Sequence, residues 1–177
     1  MKEQLFKLTN KEELVEIYTD LGDVDTCAVA KVLNLSDEYV ILANVSPTGM
    51  YDGFSLIQTE KIYQISLDTL YLRKIDKLYK AKKQSHIKVD INNENLMMGI
   101  IEFAKRNNFV VLIELYESAT VQGLIKSEEN GVLIVTNLTQ FGKRDGESLI
   151  KIEDITTIHI DDEDRNCLKI LDFEKTK

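Results

Sequence analysis

Side chains equipped for chemistry are few and scattered along this chain. The only cysteines are Cys27 and Cys167, and the only histidines are His86 and His159. Neither histidine has a Cys, His or carboxylate at a metal-ligand spacing, and two cysteines form no disulfide framework. No metal and no cofactor are therefore expected. Cys27 stands among Ala28, Val29 and Ala30 and reads as a small apolar packing residue. Asp161-Asp162-Glu163-Asp164 lacks the glycine-punctuated spacing of a calcium loop and reads as a solvated turn. No nucleophile stands beside a base and no acid–base pair recurs, so the chain is not expected to be an enzyme.

Two motifs do stand out. Gly-x-x-Asp-Gly occurs at Gly49, Asp52 and Gly53 and again at Gly142, Asp145 and Gly146. Asp-Gly suits a tight reversal with positive φ, and the exposed backbone of such a loop could also serve binding. The residues between differ, Met50-Tyr51 against Lys143-Arg144, which favours shared turn chemistry over shared contacts. The second motif is basic. Residues 71–90 carry Arg73, Lys74, Lys77, Lys80, Lys82, Lys83 and Lys88 against Asp76 and Asp90, a net of +5. The whole chain has 22 cations and 30 anions, a net of −8, so the remainder carries −13. With Tyr71 and Tyr79 alongside, the six cations from Arg73 to Lys83 form a candidate nucleic-acid contact. The helical spacing of Tyr71, Ile75, Leu78 and Tyr79 equally describes a helix with one packed face and its lysines in solvent.

The elements that must position these motifs repeat. A shift of 93 residues lays Ile41–Asp68 on Ile134–Asp161 without a gap, and 12 of the 28 positions are identical. A period of this length implies two copies of a small domain rather than a solenoid. Thr9 and Glu12 read as a capping box before a helix carrying Leu14, Ile17, Tyr18 and Leu21. Asn92 or Asn93 caps a second helix with the stripe Met97, Ile100, Ile101 and Ala104; Asn107-Asn108 suits a left-handed stop. The period then changes to two. Five short strands are expected at Phe109–Tyr116, Thr120–Lys126, Val132–Leu138, Ser148–Ile152 and Thr156–Ile160, broken at Glu117-Ser118 and at the glycine-bearing turns.

This second copy resembles the Sm-like fold, the family of Sm, LSm and Hfq proteins, in which a helix precedes five bent strands. Ile113-Glu114-Leu115 with Val121-Gln122-Gly123-Leu124-Ile125 resembles the family's opening hairpin, with Gly123 at the sharp bend. Val132-Leu133-Ile134-Val135, Ser148-Leu149-Ile150 and Ile155-Thr156-Thr157-Ile158 resemble its third, fourth and fifth strands. The expected fold is mainly β with two helices (α+β): two tandem Sm-like or SH3-like five-stranded small barrels, each preceded by a helix. Residues 1–84 would hold the first barrel and the basic connector, and residues 85–177 the second. The first copy runs about ten residues short, so its first strand is either abbreviated or supplied by Ile87–Ile91.

The family's RNA-binding Arg-Gly pair is not matched: Glu60-Lys61 and Glu153-Asp154 precede the fifth strands. The expected function is therefore a non-catalytic interaction module that binds protein, or itself, through barrel edges. The alternative implied by the resemblance is RNA binding through the basic connector 73–88. No apolar run approaches the ~18 residues that cross a bilayer and no signal-peptide pattern opens the chain, so no membrane partner and a cytoplasmic address are expected.

Overall fold

The computed structural model describes residues 1–9, 11–91, 95–116 and 119–173. The proposed caps Asn92 and Asn93 and the turn Glu117-Ser118 lie outside the described residues. The chain divides into two compact units, Met1–Met97 and Met98–Lys177.

The first unit runs α1 (Lys2–Leu8), β1 (Val15–Tyr18), β2 (Ala28–Leu35), β3 (Tyr39–Val45), β4 (Tyr51–Gln58), β5 (Gln64–Ser66) and α2 (Leu70–Ala81). All ladders are antiparallel, and their order is β5-β1-β2-β3-β4. Leu5 and Leu8 of α1 pack with Val15, Ile17, Val32, Val40 and Leu42 in one core cluster. Leu72, Ile75 and Tyr79 of α2 pack with Leu14, Val29 and Val45 in another. Their i, i+3, i+7 spacing is what turns one face of α2 inward.

The second unit repeats this plan. It contains α3 (Leu96–Arg106), β6 (Val110–Leu115), β7 (Thr120–Glu129), β8 (Val132–Leu138), β9 (Arg144–Lys151), β10 (Ile155–Ile160) and α4 (Glu163–Phe173), with ladder order β10-β6-β7-β8-β9. The 93-residue shift carries the bounds of β3 onto those of β8, and of β4 onto those of β9. At the end of α3, Asn108 takes φ 52° and the Phe109 N–H donates to the Ala104 carbonyl at 2.9 Å, the left-handed stop that Asn107-Asn108 suggested.

The expectation of two closed five-stranded barrels is overturned. In each unit the five strands form an open antiparallel array instead. Closure would bond each fifth strand to its own fourth. Instead β5 bonds to β1 and β10 bonds to β6, with no ladder from β5 to β4 or from β10 to β9 among the described residues. Among the described residues there are also four α-helices rather than two.

The capping-box helix after Thr9 is a second correction. Of its apolar residues Ile17 and Tyr18 fall in β1, where Val15, Glu16 and Ile17 are all buried, and Leu14 and Leu21 fall outside any helix. A four-residue strand holds too few positions for period two to show against period 3.6, and the helix lies earlier, at Lys2–Leu8. The first strand of the first unit is thus the abbreviated one, and Ile87–Ile91 forms no strand. The acidic run is not a solvated turn. Asp162 Oδ1 accepts the Arg165 N–H at 2.9 Å and Glu163 and Asp164 fill the first turn of α4, where negative charge suits the helix dipole.

Candidate functional site

Three places combine chemistry with geometry: the paired glycine motifs, the buried carboxylate at the start of α2, and the connector behind α2. The glycine motif does two jobs in each unit. Gly49 and Gly142 close the β3–β4 and β8–β9 reversals, donating to the Ser46 and Thr139 carbonyls at 2.8 and 2.9 Å. Both have positive φ, 73° and 66°. A Cβ on Gly49 would lie 2.5 Å from Leu78 Cβ, and one on Gly142 would lie 2.4 Å from Leu171 Cβ. The turn therefore seats directly against the following helix. Asp52-Gly53 and Asp145-Gly146 are not at the reversal; they face Asn44 and Asn137 where the ladder slips by a residue. Gly53 and Gly146, at φ 65° and 68°, supply the left-handed residue of a β-bulge.

Glu16 of β1 is 5% exposed. It accepts from the Tyr18 hydroxyl at 2.8 Å and from the Thr69 hydroxyl. Thr69 Oγ1 in turn accepts the Leu72 N–H at 3.1 Å and caps α2. The carboxylate thus fixes the helix start. Its hydrogen bond, more than burial, pushes the Tyr18 phenol up to about 12. Burial raises the nearby Cys27 thiol, so it is a poor nucleophile, and Cys27 packs against the α2 core as its apolar neighbours suggested.

The basic connector is largely committed to internal contacts. Arg73 makes a two-pronged pair with Asp68 at 2.9 and 2.8 Å, which holds that carboxyl below its usual range. Lys74 lies over the Tyr71 ring, Lys80 pairs with Asp76 at 2.6 Å, and Lys82 donates to the Thr48 carbonyl at 2.8 Å. Lys77 and Lys83 form no ion pair among the described residues.

His86, for which the sequence offers no signal, is the centre of this region. Its Nε2 lies 2.8 Å from the Asn44 carbonyl and its Nδ1 2.9 Å from the Tyr79 hydroxyl. A carbonyl only accepts, so Nε2 carries the proton and Nδ1 accepts from Tyr79. The ring also lies 4.7 Å from Tyr51 and 5.4 Å from Phe54. Burial pushes its pKa down, against the opposing effect of the Asn44 carbonyl. Beside it Gln84 accepts the Tyr51 N–H at 3.1 Å. Together these contacts pin the connector back over β3 and β4.

The pinned connector encloses a cleft of about 650 Å³. Leu33 and Ala43 line its sheet side, Ile87 and Val89 its connector side, and Lys31, Lys80, Lys83 and Lys88 contribute cations against Glu12 and Asp76. His159 stands elsewhere, 3.6 Å from Glu114. Among the described residues no group of three or more His, Cys, Asp or Glu side chains is gathered as a metal ion requires. No helix among them is long and apolar enough to cross a membrane. No protein-family model, curated protein or solved structure matches the chain.

Proposed function

We propose that this protein is a non-catalytic association module that adds a strand from another molecule, a second copy of itself, to the open edge of β9. The observation that carries the reading is one pair of identical residues. Leu56 of β4 is 0% exposed, whereas Leu149, its counterpart on β9, is 71% exposed. β9 bonds to β8 on one side only among the described residues. Its free side offers a row of backbone donors and acceptors, the feature that templates strand addition. Most of the edge charges that would discourage this are engaged within the unit: Arg144 with Asp172, Glu147 with Lys126, Lys151 with Glu153. Among the described residues β5 bonds only to β1 and offers a second open strand, so copies can add head to tail.

Sedimentation velocity over a range of protein concentration tests this. The expected result is a mass rising above the 20.3 kDa of one chain, and a Leu149→Lys variant that stays at one chain with unchanged far-UV circular dichroism. A wild type that sediments as one chain at every concentration, or a variant that associates as the wild type does, overturns the reading.

A further inference from the structure

We infer that the cleft beside His86 binds a phosphomonoester on a compact, partly apolar body, of the size of a nucleoside monophosphate. The argument begins with charge. Of the four lysines lining the cleft, Lys31 pairs with Glu12 at 2.5 Å and Lys80 with Asp76 at 2.6 Å. Both lining carboxylates are thereby neutralised one for one. Lys83 and Lys88 remain, with no ion pair among the described residues. Two uncompensated cations match the charge of a phosphomonoester, about −1.5 to −2 near neutral pH. They are concentrated in a chain whose net charge is −8, so the cleft stands out as a local attractor for anions.

Volume and walls narrow the class further. About 650 Å³ lies within the range of small-molecule sites and far exceeds an inorganic phosphate. Leu33, Ala43, Ile87 and Val89 give the cleft apolar surface, which rewards a ligand with a body rather than a bare anion. The connector that carries Lys83 and Lys88 is held by the His86 and Gln84 contacts, so both cations are presented before any ligand arrives. A phosphodiester strand carries one charge per phosphate and meets this arrangement less well than a terminal monoester does.

Isothermal titration of the full chain with AMP, with inorganic phosphate, and with a short oligoribonucleotide lacking terminal phosphates separates the sources of that chemistry. AMP is expected to saturate at one site per chain and inorganic phosphate to bind far more weakly. The double variant Lys83→Glu/Lys88→Glu is expected to weaken AMP binding about a hundredfold, two charge-assisted contacts being lost. Lys77→Glu, on the preceding helix α2 and outside the cleft lining, is expected to bind as wild type. AMP binding that survives the double variant, a failure of AMP to bind, or tighter binding of the oligoribonucleotide than of AMP each overturns the assignment. Far-UV circular dichroism of the variants confirms that the substitutions, all at exposed positions, leave the fold in place.

Discussion

At single residues, the two kinds of glycine in the repeated motif separate cleanly by what surrounds them. Gly142 combines positive φ with Leu171 Cβ 2.4 Å from where a side chain would begin, whereas nothing lies within 4 Å of the same point on Gly146. Gly146→Ala should therefore cost only the left-handed conformation, about 1–2 kcal/mol. Gly142→Ala and Gly49→Ala should add overpacking against the helix, for about 3 kcal/mol or more in all, read from urea unfolding. That two glycines recur is plain in the sequence; that one closes a turn under a helix and the other makes a bulge is not, because both demands select the same residue. His86 makes a second case. Its neutral ring is favoured by burial and by Lys31 and disfavoured by Glu12 and Asp52, with burial the largest influence. A pKa lowered in the folded state means that pinning is at full strength above the ordinary histidine value of about 6.5 and is lost as pH falls through the lowered one. Protection of the Tyr51 amide, which donates to Gln84, taken relative to its intrinsic exchange rate at each pH, should fall on acidification, and this loss of protection should vanish in His86→Asn.

At the level of elements, α2 shows how a helix is placed by a residue far away in sequence. Thr69 caps it while donating to Glu16 of β1, so one hydroxyl serves both helix start and buried carboxylate. Thr69→Ala should cost about 1–2 kcal/mol for the cap and further stability for the lost Glu16 contact, while Thr69→Ser should recover most of both. Chemical denaturation of the two variants checks the difference. This link explains which elements were legible. β6, β8 and β10 could be placed within a residue from pattern alone, whereas β7 runs three residues past the expected Lys126 and β9 starts at Arg144, inside the expected glycine turn and four residues before Ser148. β1 could not, since Leu14, Ile17, Tyr18 and Leu21 fall at helical spacing and a four-residue strand is too short for the alternation of Val15 and Ile17 to outweigh them. α4 was hidden in another way: its first turn is the acidic run, whose charges look solvent-bound until Asp162 is seen capping the Arg165 amide.

For the whole molecule, the sequence repeat announced two alike units, and the structure gives both the same strand order. Closure does not follow from the pattern, because alternation reports which face of a strand is buried and is silent on which strand lies beside it. Openness leaves strand edges, and charge then decides how those edges behave. Copies with a net charge of −8 repel one another, so edge-to-edge association works against electrostatics. Raising the ionic strength from about 0.01 to 0.1 M shortens the screening length from roughly 30 to 10 Å and should strengthen association of the wild type. Phosphomonoester binding in the cleft should move the other way, because it draws on Lys83 and Lys88. The two salt slopes thus have opposite signs. Leu149→Lys should abolish the first and leave the second, and the Lys83/Lys88 double variant should do the reverse. Association that weakens with salt would mean that charge contacts, not the backbone edge of β9 and its exposed Leu149, join the copies.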